Sequence, residues 1–326
     1  MNHRLVDEPR ICRWCLSPNV RNIAHGVVAP WILRQRCTRD DITSLMKCEH
    51  CGFRFFSRDF SETELNDIYG EYRQLSYLAR RRRWEPWYTK KINDAIGHDR
   101  SVVLHRKEQV EIELRNYLDS SALKSPTVVV DFGGDAGQFI PDLSTLEDRF
   151  VLEVSDAATE AGVERLSSWE DIEQVRPDFI MMCHVLEHTK EARELVERAH
   201  NALEPGGLIY IEIPLDGPPT PRKIHSRRSY ATYTGLLART RFTFIPVDFL
   251  SLVTRRFARK VLPGAVFKQS EHIQYFELNS LETVLRAVGF ENFHSMTYLA
   301  SGQIPRLKTL ALGVFASKPN KQASSS

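Results

Sequence analysis

The 326-residue sequence predicts an α/β fold in which a parallel sheet carries helices on both faces. Three observations predict it. From Thr127 onward, short apolar runs alternate with helix-like stretches. The first run, TVVVDF, ends in Asp131 and meets three glycines, Gly133, Gly134 and Gly137. The helix-like stretch 190–203 ends at Glu204-Pro205-Gly206-Gly207, a stop and turn before the next apolar run.

The strand candidates of this region are TVVVDF, FVLEV, DFIMMC and GLIYIEIP, and the helix candidates are 137–146, 157–162, 168–174 and 190–203. Downstream, Asn279 is expected to cap a helix running to Val288-Gly289. FHSMTYLA and TLALGVFAS are expected to pair as a hairpin, and the tail KPNKQASSS to be disordered. Upstream, residues 101–118 show helical periodicity through Val103, Leu104, Val110, Leu114 and Leu118. Ser61-Glu62-Thr63-Glu64 reads as a capping box opening a short helix. Between these lies YRQLSYLARRRRWEPWYTKK, rich in arginine and aromatic residues.

Composition is that of a globular protein, 42% hydrophobic and 26% charged. No run of about 18 apolar residues occurs, which excludes a bilayer-spanning helix. The opening MNHRLVDEPRICR lacks the apolar core of a signal peptide, so the expected location is the cytoplasm, where thiols stay reduced. Net charge is only +2, yet residues 215–270 hold eleven Lys/Arg against two acids, a local +9. An anionic partner is expected there.

Four of the six cysteines form two C-x-x-C pairs, Cys12/Cys15 and Cys48/Cys51. Each pair suits two positions of a tetrahedral Zn²⁺ site, and four thiolates leave no open position, so this zinc is expected to be structural. The gap between the pairs is longer than the usual ribbon spacing and implies an inserted loop. Cys37, His25 and His50 are spare donors.

In a doubly wound sheet, ligands bind beyond the carboxyl ends of the strands. Glycines there let the backbone approach a ligand closely. Glu153, at the end of the second strand, suits a ribose, whose two hydroxyls can donate to its carboxylate. The dinucleotide pattern G-x-G-x-x-G is not met, and an acid before the turn suits a cationic ligand. S-adenosylmethionine (SAM), with an ammonium, a sulfonium and a ribose but no phosphate, fits.

The block DFGGDAG resembles the first motif of class I SAM-dependent methyltransferases, D-x-G-x-G-x-G, with Asp135 where the middle glycine is usual. Asp tolerates a left-handed backbone better than most residues. EVS, DFIMMCHVLEH and LEPGGLIYIEIP match that family in order and spacing over about residues 127–214. The resemblance implies a Rossmann-like seven-stranded methyltransferase sheet. It implies that Glu153 binds the ribose, that Ser168–Trp169 lies along the adenine, and that Cys183–His184 lies near the methionine part.

A zinc ribbon joined to such a domain resembles the sugar C-methyltransferases and their relatives, as does CEHCGFRFFSRDFSETELNDIYGEYR. SEHIQYFELNSLETVLRAVGF resembles their H-E-H-x-x-Y-F-S segment, with Gln269-Ser270 where an aromatic residue is usual before the Glu. By position this implies His272 as general base, Glu271 orienting it, and His188 near the acceptor. The departure before Glu271 leaves O-methylation as open as C-methylation. Bland alternatives are that His272 packs beneath Tyr275-Phe276 and that His188 pairs with Glu187.

The expected organisation is therefore a zinc-ribbon-like module at 1–60, a helical lead-in at 61–126, and a methyltransferase domain at 127–318 with a basic insertion at 215–270, followed by a tail at 319–326. The expected activity is methyl transfer from SAM to a saccharide, a nucleotide sugar or glycan. The alternatives are an RNA methyltransferase and an inactive binding module of the same fold. For the basic segment, three partners are weighed beside a solvated charged face: the diphosphate of a nucleotide sugar, an anionic membrane, and nucleic acid. The low total charge argues against the last.

Overall fold

The computed structural model describes residues 9–33, 42–70, 74–95, 99–153, 158–215, 227–237, 240–258, 265–300 and 310–320. In chain order the strands are β1 (Val20–Val28), β2 (Ile42–Cys48), β3 (Arg54–Phe56), β4 (Val128–Phe132), β5 (Asp148–Leu152), β6 (Glu164–Leu166), β7 (Phe179–Cys183), β8 (Leu208–Pro214), β9 (Lys268–Gln269), β10 (Gln274–Tyr275), β11 (Glu291–Leu299) and β12 (Leu310–Ser317). The helices are α1 (Glu62–Leu65), α2 (Leu75–Arg82), α3 (Lys90–Ala95), α4 (Arg100–Ser121), α5 (Trp169–Val175), α6 (Ala192–Ala202), α7 (Arg227–Leu237), α8 (Arg241–Ala258) and α9 (Leu278–Val288).

Two compact units result. One comprises Met1–Cys12, Leu16–Ile96 and Gly217–Tyr275; the other comprises Arg13–Cys15, Gly97–Asp216 and Phe276–Ser326. Residues 217–275 fall with the N-terminal segments in the first unit. The reason is pairing. β9 runs parallel to β1 through Val27–Lys268 and Val28–Gln269, and β10 runs antiparallel to β3. The first unit is therefore built on a sheet of order β10-β3-β2-β1-β9.

Its core gathers Val27, Val28, Trp31, Tyr77, Tyr88, Tyr230, Phe244 and Val266. Buried charges run through it in a chain. The Glu271 carboxylate accepts from Tyr77 and from the Arg81 guanidinium. Arg81 also donates to Glu85 at 2.8 Å and lies 3.9 Å over the Tyr88 ring. Lys268 donates to Glu85 and, at 2.6 Å, to Asp248. Burial works against ionising Glu85, but Lys268 and Arg81 outweigh it and hold its carboxyl down at about 2. One of the eleven basic residues of the 215–270 segment is thus neutralised internally. Arg222, Lys223, Arg239, Arg259 and Lys260 lie outside the described residues.

The second unit holds the seven-stranded sheet, order β11-β12-β8-β7-β4-β5-β6. β6, β5, β4, β7 and β8 are mutually parallel; β12 runs antiparallel to β8, and β11 pairs with it as expected. The expected seven-stranded, mostly parallel sheet is present. Val110, Leu114, Tyr117, Val129, Val151, Phe179, Met181, Tyr210 and Phe315 form its core.

α4 starts where Asp99 accepts from the Ser101 and Val102 amides. It ends at Ala122, held left-handed at φ +50°. Its buried stripe is Arg106, Val110, Leu114, Tyr117 and Leu118, whereas Leu104 is exposed. The Ser61–Glu64 box forms as expected, each partner reaching the other's backbone N–H. Two expected helices do not form. Residues 137–146 are turns and irregular backbone, although Phe139, Ile140, Leu143 and Leu146 are buried at helical spacing. Pro141 lacks the amide a continuing helix needs, and Gly137 sits at φ +79°. The described part of 157–162 is likewise irregular. α9 begins one residue before the expected cap, with Glu277 and Ser280 as its box. β6 was not anticipated; a three-residue strand carries too short a pattern.

Candidate functional site

The site lies in the second unit, at the carboxyl ends of β4, β5, β7 and β8. Asp131, one residue before the end of β4, is fully buried, and neither carboxylate oxygen finds a hydrogen-bond partner among the described residues. The glycine turn closes over it. A Cβ built on Gly134 would stand 2.2 Å from Asp131 Oδ2, so only glycine fits that position. Gly133 and Gly137 take positive φ, and so does Asp135, at φ +56°. The departure from the usual middle glycine therefore leaves the turn intact, at the cost of a left-handed non-glycine residue.

Glu153 follows β5, and its Oε2 accepts from the Asp135 amide at 3.1 Å. Trp169 opens α5 and packs edge-on against Phe132, 5.2 Å away. The Ser168 hydroxyl accepts from the Asp171 amide in a capping box, so its role here is helix initiation. Cys183 ends β7 and is buried, and burial followed by Glu212 and Asp131 pushes its thiol well up. It packs as a small apolar residue and is no nucleophile at neutral pH.

Sequence reasoning missed the charged network beside these residues. Glu212, on the fully buried β8, accepts from the Arg106 guanidinium, from Tyr298, from Tyr210 at 2.9 Å and from His184 Nε2 at 2.9 Å. His184 Nδ1 lies 3.1 Å from Glu187. Burial alone would lower the His184 pKa; the hydrogen bonds to Glu187 and Glu212 win and raise it to about 9. Arg106 lies 3.8 Å over the Phe139 ring. Burial raises Asp131 to about 7, opposed by Arg106 and assisted by Glu212, Glu153 and Asp135. Two signals existed in the sequence. Glu212 is a lone acid inside an otherwise apolar strand, and Arg106 stands four residues before Val110 on the core stripe of α4.

The arrangement sets a buried carboxylate without a hydrogen-bond partner, Asp131, beneath a close-approach turn, with Glu153 at the next strand end. That fits a cationic group and a ribose, so the residues present suit the implied adenosyl donor. His184 is different: as an imidazolium with both ring nitrogens engaged, it serves as a fixed charge and not as a base.

His188 ends a single 3₁₀ turn, Leu186–His188, in the second unit, with Nε2 3.9 Å from Glu187. Glu271 and His272 lie in the first unit, in the link from β9 to β10, and both are partly exposed. The Glu271 carboxylate pairs with the Arg81 guanidinium. The four cysteines converge: the Sγ atoms of Cys12, Cys15, Cys48 and Cys51 all lie within 4.8 Å of one another, with Cys12 and Cys51 at 4.0 Å. A tetrahedral ion with bonds of about 2.3 Å needs sulfurs roughly 3.8 Å apart, so the set fits Zn²⁺. Cys37 lies outside the described residues.

The family described as a methyltransferase domain matches residues 104–295 of this chain. No curated protein matches it. Among solved structures, a SAM-dependent methyltransferase of Thermotoga maritima, described as a possible histamine N-methyltransferase, is similar at 15% identity, covering 72% of this chain and 97% of its own with a TM-score of 0.39. Human N-acetylserotonin methyltransferase in complex with SAM is similar at 16% identity over 79% of this chain and 59% of its own, TM-score 0.39. The N-methyltransferase NodS of Bradyrhizobium japonicum is similar at 13% identity over 68% of this chain and 99% of its own, TM-score 0.36.

Proposed function

As the chain belongs to the methyltransferase-domain family and is a SAM-dependent methyltransferase, we propose that its acceptor is a saccharide, a nucleotide sugar or glycan methylated at carbon or oxygen. The observation that carries the donor side is the buried Asp131 carboxylate, unpartnered beneath a turn that only Gly134 can close. Asp131 faces the donor's positive charge. Glu153 takes the ribose hydroxyls, and Gly133, Gly134 and Gly137 shape the turn. Trp169 flanks the adenine, and Cys183 and His184 border the methionine end. When bound, SAM supplies an electrophilic methyl group on a sulfonium.

The acceptor side is supported by the resemblance of CEHCGFRFFSRDF and SEHIQYFELNS to the sugar-modifying group. In this reading His272 Nδ1 or Nε2 removes a proton from the acceptor carbon or hydroxyl. Glu271, paired with Arg81 and accepting from Tyr77, supports the imidazolium that forms. His188 borders the acceptor. An anionic acceptor such as a nucleotide sugar suits the cationic segment. Cys12, Cys15, Cys48 and Cys51 hold a structural Zn²⁺ as four thiolates.

The test is mass spectrometry of candidate acceptors incubated with the protein and methyl-labelled SAM. A sugar nucleotide or glycan heavier by one labelled methyl group establishes the reading. Labelling of RNA with no sugar product would replace it.

A further inference from the structure

α8 has an unusual distribution of side chains. Its inner face buries Phe244, Asp248 and Ser251. Its outer face should carry the polar residues of an ordinary surface helix. It carries Phe242, Pro246, Phe249 and Leu250 at spacings of four, three and one, with Leu252 beside them. Phe242 is 77% exposed, Leu250 52% and Phe249 48%, although the Phe249 ring leans on Trp87 at 5.4 Å. α7 adds Leu236, 52% exposed. An exposed apolar helix face of this extent belongs against protein or lipid.

Charge decides between these occupants. The helix has one acid, Asp248, which faces inward and is neutralised by Lys268 at 2.6 Å. Arg239 and Arg241 stand before the apolar stretch in the sequence, and Arg255, Arg256, Arg259 and Lys260 after it. A second copy of this chain would bring two segments with the same excess of Lys and Arg to one symmetric interface, where like charges repel. An anionic bilayer meets both features at once. Phenylalanine and leucine enter the acyl boundary while arginines reach the headgroups. No helix among the described residues is long and apolar enough to cross a membrane, so α8 would lie in the interface.

We propose that the outer face of α8, centred on Phe242, Phe249 and Leu250, docks this protein on an anionic lipid surface. The proposal goes beyond the reading of the active site and does not depend on the acceptor. It is tested by sedimenting the full-length protein with vesicles of phosphatidylcholine, with and without phosphatidylglycerol. Partition into the anionic vesicles should exceed that into neutral ones by at least about tenfold and fall with added salt. The double variant Phe242→Glu/Leu250→Glu should lose it, with circular dichroism and SAM affinity unchanged. Arg241→Glu should weaken it severalfold. Equal partition into both vesicle types, or full binding by the double variant, would overturn the proposal. So would a wild-type dimer in sedimentation velocity that the double variant abolishes, which would make the face a contact between copies. SAM titration in the same samples reports on the donor site separately.

Discussion

His184 Nε2 lies 2.9 Å from the Glu212 carboxylate, and Glu187 stands 3.1 Å from the opposite ring nitrogen. An imidazole between two carboxylates is a cation at neutral pH. Its pKa, about 9, lies above the ordinary 6.5. The stabilisation it brings is therefore complete below about pH 6.5 and is lost as pH rises through about 9. Glu212→Gln should bring the His184 titration back toward its ordinary range, read by histidine NMR. It should also destabilise the fold by about 3–5 kcal/mol in urea, because Arg106 is left buried without its counter-charge.

Asp131 should make donor binding pH-dependent. Its folded pKa of about 7 stands above the ordinary 3.8, so the native state holds this proton more tightly than the unfolded chain. Through this group the apo protein loses stability between about pH 4 and pH 7. A cationic donor prefers the ionised carboxylate, so SAM affinity should rise as pH passes through about 7. Calorimetry should show that rise, and Asp131→Asn should flatten it and lower the affinity at pH 8. A pH-independent affinity in the wild type would remove Asp131 from the donor site.

Gly134→Ala and Asp135→Gly should differ in sign. An alanine Cβ would stand 2.2 Å from Asp131 Oδ2, so the turn must open; SAM affinity should fall by at least about tenfold and stability by about 1–3 kcal/mol. Asp135→Gly relieves a left-handed residue and keeps the backbone N–H that meets Glu153. It should retain SAM binding and gain up to about 1 kcal/mol. Thermal unfolding with and without SAM separates the two effects.

The cysteine cluster should bind one metal ion. Elemental analysis should find one zinc per chain, and Cys48→Ser should lose it. A strong chelator should lower the melting temperature, because the ion is bound in the folded state and not in the unfolded one. Zinc-free protein of unchanged stability would contradict a structural role.

Lys268→Ala should test the buried chain of the first unit. It leaves Glu85 and Asp248 without their shared cation, which should cost about 3–5 kcal/mol. Glu85, depressed to about 2, contributes stability that is present above about pH 4.5 and lost as pH falls through about 2. In the variant, acid should therefore restore part of the lost stability, a reversal that denaturation at two pH values would reveal.

Local signals were legible wherever neighbouring residues decide the outcome. The run VVVDF reads as a strand because every side chain but the last acid suits a buried ribbon, and the following glycines mark the turn. The capping box at Ser61 and the cysteine pairs are likewise short-range patterns. The stretch 137–146 shows the limit: its apolar spacing satisfies a helix, and the buried side chains are the expected ones, but Pro141 and the left-handed turn prevent the hydrogen bonds. Arg106 shows another. Its place on the stripe of α4 was visible, yet a lone arginine there is meaningless until Glu212, 106 residues away, is brought against it.

The amino-acid order alone determined the parallel sheet, the glycine turn beneath which Asp131 lies, and the two thiolate pairs, because each depends on residues a few positions apart. Tertiary structure alone decided that Arg106, Glu212 and His184 share one buried charge system. It also decided that residues 217–275 complete the sheet of the N-terminal unit and that Asp248 faces inward on α8. Coulomb attraction in a dry interior and strand pairing act through space, between groups whose separation along the chain carries no signal of their meeting.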